Sequence, residues 1–237
     1  ILNGDNDKLV TVREPDYKLV FFGIENPNVD FRAKDIEEKN GFTSFTVEFY
    51  GASQRVTVPT VGIHNVYDAL AAFAVGYEMR MEPQKIAAGL KSFVPSGMRQ
   101  RIKKVGGITV IEDCYNASPD SQKAALDVLS SFKSNRRIAV LGDMLELGKY
   151  SDVSHENVGK YTENKNIDIL FTYGAKAKHI AEGAKGFVDE IKSFDDKTEL
   201  AKALLETLKD GDAVLFKASR GMKLEDVINS LYREWEE

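Results

Sequence analysis

Cysteine and histidine are scarce in this sequence, and their scarcity excludes several kinds of protein. The one cysteine, Cys114, cannot form an intramolecular disulfide or a cysteine-rich zinc site. The three histidines, His64, His155 and His179, are far apart along the chain, which argues against a His-rich metal site. We therefore predict no disulfide framework and no metal ligands in this chain.

Long apolar runs and an excess of basic charge are also missing. The longest apolar stretch, residues 69–76, is far shorter than the ~20 residues that a membrane-spanning helix needs. The polar, acidic N-terminus is unlike a signal peptide. With 32 Lys and Arg against 37 Asp and Glu, the net charge is −5, whereas general nucleic-acid binding requires a basic surface. We expect a cytoplasmic protein with no membrane insertion and no nucleic-acid partner.

The first part of the chain is predicted to contain strands followed by helices. A length of 237 residues allows one large or two modest domains, and a hydrophobic content of 43% is enough for their cores. Residues 18–22, 45–49 and 55–58 have strand-like patterns and predict an antiparallel β-meander. Apolar residues at helical spacing in residues 66–77 and 82–90 predict two helices after the meander.

The pattern changes at residues 93–97, where Pro and Gly occur together, so we predict one domain over residues 1–98 and another over residues 99–237. Beyond the break, strand-like and helical segments alternate. This favours an α/β fold with a Rossmann-like, doubly wound and mostly parallel sheet. Asp196 and Glu199 form a capping-box pattern before one of the helices. The predicted strands cover residues 108–111, 138–141, 167–172 and 213–216, and the helices after them begin near Pro119, Ser154, Ala175 and Met222.

Polar side chains follow three of these predicted strands, in residues 113–119, 142–148 and 217–221. In an open parallel sheet, ligands bind in the crevice outside the carboxyl ends of the strands. The carboxylates, the amide and the cationic cluster of these loops could hold a zwitterionic or phosphorylated ligand. The same residues could instead be ordinary helix caps, as Ser118 before a proline and Ser219 both suggest. Polarity alone leaves both interpretations open.

Several motifs resemble segments of one family, the Mur ligases. Residues 62–72, G-I-H-N-V-Y-D-A-L-A-A, resemble the family segment G-x-H-N-x-x-N-A-L-A-A. Met98-Arg99 together with residues 113–121 is similar to the family pattern M-R … D-x-Y-N-A-N-P-x-S. Residues 141–148, L-G-D-M-L-E-L-G, with His155 downstream, are similar to the signature of the branch that adds D-alanyl-D-alanine.

The resemblance extends from residue 2 to about residue 231, with two departures. Asp68 stands where the family usually has Asn, and Ser118 replaces the usual Asn before proline, a change that a helix N-cap tolerates. A different Mur-type ligase or a folylpolyglutamate synthase is the alternative of the same class, and the acidic loop of residues 142–148 argues against both. A non-catalytic binding module that keeps the Rossmann-like domain is the alternative of a different class.

The resemblance implies an ATP-dependent amide ligase of peptidoglycan precursor synthesis in the bacterial cytoplasm. ATP would phosphorylate the terminal carboxylate of UDP-N-acetylmuramoyl-tripeptide, and the amine of D-alanyl-D-alanine would attack the acyl phosphate. Such a protein must neutralise the phosphoryl charge and align the amine with the acyl carbon. The implied cofactors are ATP and Mg²⁺, and we expect a monomer. The third residue of the tripeptide, diaminopimelate or lysine, stays open.

The family pattern also implies which residues would contact ATP. Asn65, with His64 beside it, would contact the adenine, Arg99 the phosphates or the ribose, and Asp113 the ribose hydroxyls. These roles suit the chemistry of an amide, a cation and a carboxylate. No residue of this chain is assigned a catalytic role.

The dipeptide is expected at the carboxyl ends of the second sheet. Ser219 and Arg220, predicted to lie at a helix N-terminus that favours anions, would hold its carboxylate, and Asp143 would lie near its amine. The alternative is that Asp143 and Arg220 pair with each other or face solvent. The candidate substrate-binding residues are Tyr115, Asn116, Asp143, Glu146, Lys217, Ser219 and Arg220.

Some parts of the family pattern do not occur in this sequence. In the family order, the phosphate-binding loop, the magnesium-binding Glu and His and the carbamoylated lysine all precede the region of residues 3–6. We therefore interpret residues 1–98 as the rear part of a central ATPase domain and residues 99–237 as a complete C-terminal domain. We expect the chain alone to be inactive, with the metal ligands upstream of it.

Overall fold

The computed structural model describes residues 1–39, 41–94 and 97–236. The chain divides into two compact units, Ile1–Val94 and Pro95–Glu237. The sequence places the boundary between Met98 and Arg99, and two residues of the predicted break, Pro95 and Ser96, lie outside the described residues.

Within its described residues, the first unit contains one five-stranded sheet in the order β1-β2-β3-β4-β5 and two α-helices. β3, β4 and β5 pair antiparallel, as the predicted meander requires. β1 pairs with β2, and β2 with β3, in parallel, so the expectation of a purely antiparallel sheet is wrong at its first two strands. The elements are β1 (Leu2–Asn3), β2 (Phe21–Gly23), β3 (Phe31–Lys39), β4 (Phe42–Phe49), β5 (Ala52–Val58), α1 (Ile63–Glu78) and α2 (Pro83–Lys91).

The core of the first unit lies between this sheet and α1. Val66, Leu70 and Phe73, spaced at three- and four-residue steps along α1, are completely buried against Phe31 and Phe45 of the sheet. The predicted apolar face of this helix is therefore confirmed.

The second unit contains a six-stranded sheet in the order β10-β9-β8-β11-β7-β6. All neighbours pair in parallel except β6 and β7, which form an antiparallel hairpin, so the predicted doubly wound, mostly parallel sheet is confirmed. The strands are β6 (Arg101–Val105), β7 (Ile108–Glu112), β8 (Arg137–Gly142), β9 (Ile169–Tyr173), β10 (Glu190–Phe194) and β11 (Ala213–Lys217). The helices are α3 (Pro119–Ser131), α4 (Ser151–Lys160), α5 (Lys178–Gly183), α6 (Lys197–Thr207) and α7 (Glu225–Glu236).

Both faces of this sheet are covered. Leu200 and Leu204 of α6 and Ile228 of α7 pack on one face, against Val140, Phe216 and their neighbours. Leu141 and Leu215 point to the opposite face because successive strand residues alternate, and they too are completely buried.

Three helices begin about three residues away from the positions that the sequence predicts, and one helix cap differs from its predicted form. α4 begins at Ser151 rather than near Ser154, and α5 begins at Lys178 rather than near Ala175. A short 3₁₀ turn, Arg220–Met222, follows β11, and α7 begins at Glu225 rather than near Met222. Ser219 and Arg220 therefore do not lie at the N-terminus of a long helix. The Asp196 carboxylate caps α6 by accepting the Thr198 and Glu199 amides, but these bonds form a one-sided cap rather than the reciprocal capping box that the sequence suggests.

Candidate functional site

Three polar loops meet at the carboxyl edge of the second sheet. They are the β7 loop (residues 113–118), the β8 loop (residues 143–147) and the β11 loop (residues 218–224). β11 pairs with both β7 and β8, so its loop lies between the other two. The expectation that these polar segments gather at one edge is confirmed by the strand order.

Ser219 joins the three loops. Its backbone N–H donates to Asp143 O at 3.0 Å, and its Oγ accepts the Leu145 N–H at 2.9 Å. The same hydroxyl donates to Ala117 O at 3.4 Å, and the residue is only 4% exposed. Because the donor and an acceptor position of the hydroxyl are used within the chain, Ser219 holds the loops in place.

A buried ion pair ties the β7 loop to β11. Lys217, 3% exposed, places its ammonium 2.6 Å from Asp113 Oδ2 and also donates to Asn116 O at 3.2 Å. The other carboxylate oxygen of Asp113 accepts the Gln100 N–H at 3.3 Å. The Lys217 charge is neutralised inside the protein, which leaves Arg220 as the exposed cation of the β11 loop closest to the strand end.

Two arginines contact the ring of Tyr115. The Arg99 guanidinium lies 4.1 Å from the ring centroid and that of Arg220 lies 5.9 Å from it. Arg220 also pairs with Glu225 at 3.1 Å, although its side chain is 62% exposed. Guanidinium groups with free N–H donors beside an aromatic ring are suited to carboxylates and phosphates.

The two carboxylates of the β8 loop have different surroundings. Asp143 is 7% exposed, and its Oδ1 accepts the backbone N–H groups of Lys176 and Ala177 at 3.0 and 2.7 Å, just before α5. Glu146 is exposed, in a left-handed conformation with φ 65°. Asp143 and Arg220, each held by other partners, do not form the pair that the sequence left as an alternative. Glu146 is thus the carboxylate of this loop that is open to an external cation.

A buried histidine lies behind the β8 loop, and the sequence pointed to it only through the family signature. His155 Nε2 accepts the Met144 N–H at 2.9 Å, so Nδ1 carries the proton and donates to Ser151 O at 2.7 Å. Burial lowers the pKa of His155 below its ordinary value, although the Ser151 bond and the Asp143 charge oppose this effect. The imidazole is therefore neutral near pH 7.

The remaining candidates lie in different parts of the chain. Asn116 is exposed in the β7 loop, where its Oδ1 accepts the Ala117 N–H at 2.9 Å. His64 and Asn65 belong to the first unit, in the first turn of α1. The Asn65 amide donates to Val61 O at 2.8 Å and lies 3.1 Å from His64 Nε2.

Within residues 1–39, 41–94 and 97–236, no three His, Cys, Asp or Glu side chains are grouped so that they could hold a metal ion. In the same part of the chain, no helix combines the length and the apolar character needed to span a bilayer.

Comparison with known families gives two matches, one in each unit. Residues 1–76 match the Mur ligase middle domain, and residues 98–220 match the Mur ligase, glutamate ligase domain. The second match alone covers more than half of the chain.

Curated relatives and solved structures agree with these matches. The UDP-N-acetylmuramoyl-tripeptide–D-alanyl-D-alanine ligase of Bacillus subtilis is 39% identical over 206 residues, which are 85% of this chain and 45% of the relative. The ligase of the same name from Synechocystis is 35% identical over 99% of this chain and 50% of its own length. A crystal structure of the MurF ligase of Thermotoga maritima in complex with ADP superimposes with a TM-score of 0.84 at 26% identity, covering 99% of this chain and 53% of that one. The chain spans about half the length of the curated relatives it matches.

Proposed function

Because the chain belongs to the Mur ligase family, we propose that it is part of an ATP-dependent ligase that joins D-alanyl-D-alanine to UDP-N-acetylmuramoyl-tripeptide. The names of the Bacillus subtilis and Synechocystis relatives support this choice within the family. The β8 loop, with its acidic signature, lies beside the β11 loop and supports the same branch.

The observation that carries the proposal is a pair of opposite, exposed charges on neighbouring loops. Arg220 of the β11 loop is available to the carboxylate of a dipeptide, and Glu146 of the β8 loop to its ammonium. Ser219 ties the two loops together, so the two charges belong to one rigid edge. A zwitterion held at both ends has its amine oriented, which is what an amide-forming step requires.

In the proposed reaction, the γ-phosphoryl group of ATP passes to a carboxylate oxygen of the tripeptide, giving ADP and an acyl phosphate. The dipeptide amine, after losing a proton, attacks the acyl carbon, and the tetrahedral intermediate expels inorganic phosphate. This chain contributes the groups that hold the dipeptide and part of those that hold the nucleotide. No residue of it is assigned the proton transfer.

For the nucleotide we propose the roles that the family pattern implies. Asn65 and His64 contact the adenine, Asp113 the ribose hydroxyls, and Arg99 the phosphates or the ribose. The ADP complex of the Thermotoga maritima relative supports nucleotide binding in general. Asp113 keeps one carboxylate oxygen on Lys217, which fixes the direction of the other. We also propose a monomer that works in the bacterial cytoplasm.

Two arginines on the same ring allow a matched test with the complete gene product. We expect Arg220→Ala to raise the KM for D-alanyl-D-alanine by ~10-fold or more, the value for one charge-assisted hydrogen bond, and to leave the KM for ATP unchanged. Arg99→Ala is expected to lower kcat/KM for ATP by ~100-fold and to change the dipeptide KM little. Lys223→Asn, which removes a charge from the same β11 loop in a left-handed conformation that Asn tolerates, is the control.

The dipeptide assignment is wrong if Arg220→Ala leaves the dipeptide KM unchanged. The substrate class itself is wrong if the wild-type protein ligates a single amino acid in preference to D-alanyl-D-alanine.

A further inference from the structure

His155 of α4 is a buried titratable group to which the proposed function gives no role. The residue is completely buried, and both ring nitrogens bond to backbone groups, the Met144 N–H and Ser151 O. Its contacts are made to the β8 loop and to the start of its own helix.

Backbone groups at the start of the β8 loop are held from three directions. The Asp143 N–H donates to Tyr173 O at 3.2 Å, at the end of β9. The Asp143 carbonyl and the Leu145 N–H bond to Ser219 of the β11 loop. The Met144 N–H, between them, is held by His155 from α4. Glu146, the exposed carboxylate of this loop, follows directly after Leu145.

We propose that His155 is a positioning residue that holds the β8 loop in the conformation that presents Glu146 to the dipeptide ammonium. The proposal rests on the proposed function for the identity of the ligand. The role of His155 acts through the loop backbone, because a completely buried ring does not contact a substrate. An N–H left without an acceptor in this buried place would be compensated only by movement of the loop.

The role requires the neutral imidazole, because a protonated Nε2 cannot accept the Met144 N–H. The titratable groups that face the ring are Asp143 from the β8 loop, Asp152 from its own helix and His179 from α5. Since burial lowers the pKa of His155, the neutral form persists below the ordinary histidine range. The loop is therefore expected to loosen only when the pH falls below that range.

Two substitutions of His155 distinguish the effect of its hydrogen-bond acceptor from the effect of its bulk. His155→Leu has similar bulk and no acceptor, and we expect it to raise the KM for D-alanyl-D-alanine by ~10-fold with little change in the KM for ATP. His155→Gln offers an amide oxygen to the Met144 N–H and does not titrate, so its KM at pH 7.5 should lie within ~3-fold of wild type. Asn157→Ala, at an exposed position of α4, is the control and should behave as wild type.

The pH dependence supplies a readout that a purely structural role would not change. As the pH falls below the ordinary histidine range, the dipeptide KM of the wild type should rise more steeply than that of His155→Gln, because only the wild type loses its acceptor. Identical profiles for the two proteins would overturn the proposal, as would an unchanged dipeptide KM for His155→Leu.

Hydrogen exchange of the Met144 amide tests the positioning without any activity. We expect exchange to be at least ~10-fold faster in His155→Leu than in wild type, and restored in His155→Gln. If exchange responds in this way but the wild-type protein does not ligate D-alanyl-D-alanine, the proposed function fails and the positioning of the loop stands. If exchange is the same in all variants, the positioning is refuted even where the ligation is observed. If His155→Leu does not fold, the comparison of wild type with His155→Gln across pH still decides.

Discussion

The ion pair between Lys217 and Asp113 should make an unequal contribution to stability, depending on which partner is removed. Asp113→Asn leaves an ammonium that is 3% exposed without its carboxylate, so that only neutral oxygen acceptors, Asn116 O among them, remain near it. Lys217→Met leaves a carboxylate whose side chain is 19% exposed and still accepts the Gln100 N–H. Breaking a buried pair costs about 3–5 kcal/mol. We expect Asp113→Asn to cost about 3 kcal/mol of stability, since the remaining ammonium is almost fully buried. Lys217→Met should cost about 2 kcal/mol, because the remaining Asp113 carboxylate is partly hydrated.

The assay can use Cys114, the one cysteine of the chain, which lies next to Asp113. Burial, together with the charges of Glu225 and Glu112, raises the pKa of the Cys114 thiol to about 12. A thiol reagent at pH 8 therefore labels the residue only when this part of the second unit opens. Losses of 2 and 3 kcal/mol correspond to labelling about 30-fold and about 150-fold faster than in wild type.

The double variant Asp113→Asn/Lys217→Met provides the decisive comparison. With both charges removed, no uncompensated charge is left, and the combined loss should be about 2 kcal/mol smaller than the sum of the single losses. Additive losses would show that the two groups do not stabilise each other. Labelling of both single variants at the wild-type rate, or a greater loss in Lys217→Met, would refute the reasoning from burial.

Two further predictions concern the helices of the second unit and can be followed by the fluorescence of Trp235, the one tryptophan, in α7. Gly159→Ala should lower the stability by about 3 kcal/mol or more, because a Cβ there would overlap Ile180 O of α5. Asn157→Ala, at an exposed position of the same helix, should change the stability by less than about 0.5 kcal/mol. Equal melting temperatures of the two variants would contradict the close approach of the helices. Asp196→Ala should cost about 1 kcal/mol through loss of the α6 cap, and Asp196→Asn should restore most of this; no difference between Ala and Asn would mean that the cap contributes nothing.

The sequence predicts the central elements of the second unit because their patterns are local. β7, β8 and β11 are continuous apolar segments, each followed by a polar loop, and such segments identify buried parallel strands. The two strands that the sequence reading missed, β6 and β10, are the edges of the sheet. They carry charged residues, as edge strands commonly do, and resemble loops in composition. The Gly106-Gly107 pair between β6 and β7 is typical of a two-residue hairpin turn and could have predicted this hairpin.

The candidate site could be located from the sequence but its internal contacts could not. Leu145 and Ser219 are 74 positions apart, and Asp113 and Lys217 are 104 apart, and they meet because β11 inserts between β7 and β8. No pattern within a short window reports that insertion. For this reason Asp143, Lys217 and Ser219 all remain candidate ligand-binding residues when only the sequence is considered. In the structure, each of them has a hydrogen-bond partner inside the protein.

The junction at Ser219 has a consequence for attempts to engineer the carboxyl edge of the second sheet. Because Ser219 connects the three loops through hydrogen bonds, a substitution that moves one loop is expected to move the other two. Substitutions in different loops should then be strongly epistatic, and transplanting the β8 loop of a relative by itself should fail where exchanging all three loops succeeds. Variant libraries for this edge should therefore vary the three loops jointly and keep Ser219.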